Sequence, residues 1–221
     1  MKQQLNIPSS LDEITVDQYQ KFVKLITDNP DSAFTRQKTV AILCRLDMEF
    51  VRTIKAHSID DIYTDLLKMF DSKPPLIDRF KINGKEFGFI PNLDDMSAGE
   101  FADLDDYFQN AETWHKMLAV LYRPVIKKLT NAYDIEPYKG TDQYADVMKD
   151  TPVSIAIGAQ VFFYNLGREL LAVTMDSLQQ LPQQQKEIIA EKLNLGKNGD
   201  GITAFTQLQG ETLLRLTEQQ N

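Results

Sequence analysis

The sequence predicts a mainly α fold of the α+β class: a helical domain with one β-hairpin at about residues 79–90, followed by a C-terminal helical pair. Three observations predict it. Apolar residues recur at i, i+3, i+4 and i+7 through most of the chain, the period of a helix with one buried face. Ser or Thr followed three residues later by Glu or Gln, the spacing of a capping box, opens two of those stripes. Asn83-Gly84 stands between two short alternating runs, and this pair tolerates the φ > 0 that a two-residue type I′ turn needs at both positions.

In chain order, Thr15 and Gln18 cap a first helix whose apolar face is Tyr19, Phe22, Val23 and Ile26; Asn29-Pro30-Asp31 ends it. A second helix runs from Ser32 or Phe34 to Leu46. A third starts near Asp47 with Phe50, Val51 and Ile54. A fourth starts at Ser58 and turns Ile62, Leu66, Met69 and Phe70 inward. Pro74-Pro75 breaks helical structure ahead of the hairpin. In the hairpin, Phe80 and Ile82 alternate with polar residues, as do Phe87 and Phe89, giving one apolar face. A lone hairpin is marginal in water, so this one is expected to lie on helices or to offer an edge to a partner strand.

Pro91 stops the second strand. Ser97 and Glu100 then cap a helix with Phe101, Leu104 and Phe108 on one face. The next helix carries Trp114, Met117, Leu118, Leu121 and Tyr122, a core-facing stripe that Arg123-Pro124 ends or kinks. Val125, Ile126 and Leu129 are read as a bent continuation of that helix, with Lys127 and Lys128 on its wet side. Residues 131–152 form a polar connection with a short helix around Gln143 to Met148. The most apolar segment, Val153 to Met175, holds Gln160, Asn165, Arg168 and Glu169, too polar for a bilayer span. It reads as a buried central helix whose small residues, Gly158 and Gly167 among them, let neighbours approach. Residues 1–175 thus make the main domain. Residues 176–221 make a helical hairpin that docks on it, or an arm that reaches a neighbouring subunit.

Composition bounds the function. Hydrophobic residues are 43% and charged residues 25%, which suits a globular chain long enough, at 221 residues, to bury its own core. The net charge of −8 opposes nonspecific phosphate binding and docking on an anionic membrane, both of which are driven by Lys and Arg. Direct sequence-specific nucleic-acid binding and membrane partners are therefore not expected. Cys44 is the only cysteine, so neither an internal disulfide nor a Cys-based zinc site can form. On its helical face it reads as a small buried hydrophobe. The first residues lack the apolar core of a signal peptide, and cytoplasmic synthesis is the expectation.

No catalytic or cofactor motif emerges. His57 and His115 fall in different elements, and neither has a partner at metal-ligand spacing. Phosphate-loop, dinucleotide and nucleophile-elbow patterns are missing. Asn198-Gly199-Asp200-Gly201 has the look of a calcium loop, but its last ligand position is Gln207 where a carboxylate is needed. No cofactor, metal ligand or catalytic residue is assigned.

The acidic run is the most suggestive polar feature: Asp94, Asp95, Glu100, Asp103, Asp105 and Asp106, with no basic residue among them. Such a run can be a solvated face favoured near a helix N-terminus. It can dock a basic partner, or supply carboxylates to a divalent metal and acid–base chemistry. With Phe87 and Phe89 of the hairpin, these six are the candidate protein-contact residues.

The run from Phe87 to Phe101, followed by Met117 to Pro124, resembles a pattern in proteins of tailed bacteriophages, including phages of Bacteroidetes-type hosts related to the crAss-like group. Such proteins are encoded among virion-structure and tail-assembly genes. The resemblance carries no catalytic or binding residue across. It implies a non-enzymatic virion component or assembly factor whose partners are other phage proteins, with a homo-oligomeric ring as one arrangement. Its place would be the virion, or the host cytoplasm during assembly. The alternatives are a transient tail-assembly chaperone, an adaptor that binds a host protein, and a small metal-dependent enzyme using residues 94–106.

Overall fold

The structure, a computed structural model, describes residues 5–29, 32–128 and 132–179, with side chains described as far as residue 169. Among these residues the order is α1 (Val16–Asp28), α2 (Ala33–Leu43), α3 (Met48–Val51), α4 (Ala56–Met69), β1 (Arg79–Ile82), β2 (Lys85–Phe89), α5 (Ala98–Phe108), α6 (Trp114–Leu121), β3 (Tyr122–Lys128), β4 (Tyr133–Ile135), α7 (Ala145–Met148) and α8 (Val153–Gln179). The fold is mainly α with one small antiparallel sheet. The chain divides into two compact units, Met1–Val161 and Phe162–Asn221. The helical pair expected over 176–221 lies outside the described residues beyond the end of α8.

The first unit is assembled around α1. Thr15 accepts from the Gln18 backbone N–H while the Gln18 side chain accepts from Thr15 N, completing the capping box. The same Gln18 amide donates to the Ile42 and Leu43 carbonyls at 2.9 and 3.0 Å, so it also closes the C-terminal end of α2. Helix carbonyls left without intrahelical donors need such partners when buried. Around α1, Ile14, Phe22, Val40, Leu43, Val51, Leu66 and Val153 form a dry core. Tyr19 stacks on Trp114 and Phe22 on Phe70, with centroids 5.0 and 5.3 Å apart. Two backbone bonds, Val16 N to Thr151 O at 2.9 Å and Val153 N to Ile14 O at 2.8 Å, tie the start of α1 to the start of α8.

α8 is buried at its first turns, from Val153 to Ala156 and at Gly158 and Ala159. Gly158 lies against the Pro75 carbonyl, where a Cβ would collide with main chain. The close approach foreseen for this glycine is therefore real, and Pro74-Pro75 is what approaches. The expectation of a buried helix as far as Met175 is corrected: residues 160–169 are half-buried or exposed.

The hairpin forms as the sequence predicts. Asn83 and Gly84 have φ of 49° and 76°, and Arg79 pairs with Gly88, Phe80 with Phe87 and Lys81 with Glu86. It is half of a four-stranded sheet in the order β1-β2-β3-β4. The reading of residues 125–129 as a bent helix is overturned. α6 ends at Leu121 and the chain enters β3 at Tyr122 with no intervening loop. Pro124 sits opposite Phe87, and its carbonyl accepts from Glu136 N at 2.9 Å. A residue's N–H and C=O point to the same neighbour in an antiparallel strand, so the proline's missing donor faces β4 just past that strand's end. Leu129 lies outside the described residues.

One sheet face is aromatic. Phe80, Phe87, Phe89, Tyr122 and Tyr144 meet at centroid distances of 5.1–5.9 Å, mostly edge to face. On the other face the Tyr133 ring covers Gly88, whose Cβ position it would occupy, and its hydroxyl donates to Phe89 O at 2.9 Å. The glycine in β2 is thus the notch that lets β4 fold over β3.

Candidate functional site

The acidic run does not act as one surface. Asp94 and Asp95 are exposed in a short 3-10 turn, Leu93–Asp95, where the Asn92 side chain accepts from Asp94 N and donates to Asp95. Glu100 is at the third position of α5, and its capping box with Ser97 is formed. It is buried and ion-paired with Arg123 of β3. Asp103 accepts the Tyr138 hydroxyl, and the Arg123 guanidinium lies 5.5 Å over the same tyrosine ring. Asp105 is half-buried and Asp106 exposed. Two of the six carboxylates therefore belong to a structural network that ties α5 to the sheet.

Phe87 and Phe89 are corrected as contact residues. They are 1% and 5% exposed, inside the aromatic face, and present nothing to a partner. Phe101, assigned to the apolar face of its helix, is instead 46% exposed.

The electrostatics of the network follow from its geometry. Burial pushes the Glu100 carboxyl up, but hydrogen bonds from Ser97 and the Arg123 guanidinium together outweigh it, and the group ends below the ordinary carboxylate range. Burial, then the bond to Asp103, raises the Tyr138 hydroxyl. Burial likewise raises Tyr144, reinforced by Glu136, to about 12. His115, whose Nδ1 lies 2.9 Å from Gln20 Nε2, is pushed down by burial and by Lys149 and Lys116. Cys44 is buried and its thiol raised to about 11, which makes it unreactive at neutral pH.

Beside the network lies an open groove of about 450 Å³, lined by Ile90, Asp95, Arg123, Ile126, Asp134 and Ile135, with Glu100 at its base. It is built where the β2 exit, the Asn92 turn and the ends of β3 and β4 come together. Arg123 is 7% exposed, and its Nε has no hydrogen-bond partner among the described residues. Ile126 is 59% exposed. Of the predicted site residues, the groove brings Asp95 and Glu100 together and leaves Asp94, Asp103, Asp105 and Asp106 aside. Sequence reasoning missed Arg123, Ile126 and Asp134. The signal for Arg123 was an arginine inside the apolar run Met117–Val125, which only a buried partner could accommodate.

Among the described residues no three His, Cys, Asp or Glu side chains converge to hold a metal ion, and no helix is long and apolar enough to cross a membrane.

Fold and site together define a mainly α protein of the α+β class with an acidic, partly apolar groove beside its sheet. No protein family, curated protein or solved structure matches the chain.

Proposed function

We propose that this is a non-enzymatic structural or assembly protein of tailed bacteriophages, working through contacts with other phage proteins. The observation that carries the reading is the groove. Its carboxylates border aliphatic side chains rather than a nucleophile or a metal site, the make-up of a surface that grips another chain. The resemblance of Phe87–Phe101 and Met117–Pro124 to virion and tail-assembly proteins supplies the biological setting. Two of the six acidic residues, Glu100 and Asp103, are committed to Arg123 and Tyr138, which argues against the metal-dependent enzyme.

Mass spectrometry of purified particles from the encoding phage tests this. Abundant peptides of this chain support a virion component. Absence from particles, with another phage protein co-purifying from infected cells, supports the transient chaperone instead. Stoichiometric Mg²⁺ or Mn²⁺ binding in calorimetry, lost on Asp103→Asn or Asp106→Asn, would overturn the non-enzymatic reading.

A further inference from the structure

We infer that the groove between the Asn92 turn and the β3–β4 ends is the docking site for a basic segment of a partner protein, one in which lysine or arginine alternates with aliphatic residues. The inference rests on the protein-contact reading above and names the chemistry of the partner.

Three features set that chemistry. The first is charge. Glu100 neutralises Arg123 at the base, while Asp95 and Asp134 on the rim join no ion pair among the described residues. The lining therefore carries net negative charge; Lys127 stands opposite Asp134 in the β3–β4 ladder but forms no ion pair with it. The second is the apolar wall. Ile126 is 59% exposed and stands with Ile90, Pro91 and Ile135 on the same groove. A lysine or arginine lays its methylene stem on such a wall and carries its charge to the rim, which a bare cation or polyamine exploits poorly. The third is size: about 450 Å³ holds a long side chain with part of its neighbour. An acidic segment would meet Asp95 and Asp134 as like charges, and a nucleic acid would meet them with phosphates.

The test is an NMR titration of the full-length ¹⁵N-labelled protein with the peptide acetyl-Lys-Leu-Lys-Leu-amide, and with acetyl-Glu-Leu-Glu-Leu-amide as control. The expected result is amide shifts clustered at Ile90, Asn92–Asp95, Ile126 and Asp134–Ile135 with the basic peptide, and none there with the acidic one. Asp95→Asn and Asp134→Asn should each weaken binding about threefold and the pair about tenfold, in keeping with rim charges. Both residues are exposed, so the variants keep the fold, which an unchanged urea midpoint verifies. Shifts scattered over the surface, equal response to the acidic peptide, or undiminished affinity in the double variant would each overturn the inference. If the peptide fails while the chain is present in particles, the groove is wrong and the phage reading stands. If the peptide binds as expected and the chain is found neither in particles nor with a phage partner, the groove stands and the phage reading falls.

Discussion

At the scale of single residues, the structure turns on polar side chains that sit where apolar ones would be expected. Arg123 and Glu100 are each under 10% exposed and are held by one another. Removing one partner leaves the other charge more than nine-tenths buried without its counter-ion, which costs about 3–5 kcal/mol. Arg123→Met is therefore expected to be severely destabilising in urea denaturation. Arg123→Met with Glu100→Gln should lose less than the two single changes summed, because neither charge is left behind. Two groups also make stability depend on pH in the same direction. The folded pKa of Glu100 lies below its unfolded value near 4.5, and that of His115 below its unfolded value near 6.5. A depressed pKa means that the unfolded chain binds the extra proton first, so stability is present at high pH and lost on acidification. The urea midpoint should begin to fall as the pH drops through 6.5 and fall further below 4.5. His115→Gln, which keeps a polar partner for Gln20, should flatten the first part of that curve and leave the second.

At the scale of elements, two glycines give opposite expectations for the same substitution. Gly99 lies in the first turn of α5 with nothing within 4 Å of a Cβ, so Gly99→Ala should stabilise by about 0.4–1 kcal/mol through helix propensity. Gly158 also lies in a helix, but its Cβ would strike the Pro75 carbonyl, and Gly158→Ala should destabilise by about 1–3 kcal/mol. Thermal unfolding of both variants measures the contrast. Much of this level was legible in the sequence. The Thr15/Gln18 and Ser97/Glu100 spacings placed the starts of α1 and α5 because a cap is chemistry local to a few residues. Asn83-Gly84 placed the hairpin for the same reason. β3 was not legible. The stripe of α6 continues through Tyr122 at helical spacing, and Val125-Ile126 offers no alternation to contradict it. Only pairing with β2, a contact between residues distant in sequence, makes those residues a strand. β4 is three residues long and too short to carry a period.

At the scale of the molecule, the described core of the first unit closes at Ala159. The groove was half legible at this scale. Asp95 and Glu100 drew notice as part of a charge run, whereas Ile126 and Asp134 join them only because the sheet has four strands. The direct passage from α6 to β3 has a further consequence for how such a protein can vary through descent. Alternate strand residues face opposite sides, so one amino acid gained or lost at Leu121–Tyr122 would exchange the two sides of β3. It would put the Arg123 charge among the phenyl rings and swing Tyr122 toward Glu100. Genes descended from a common ancestor with this one are therefore expected to keep this junction free of insertions and deletions.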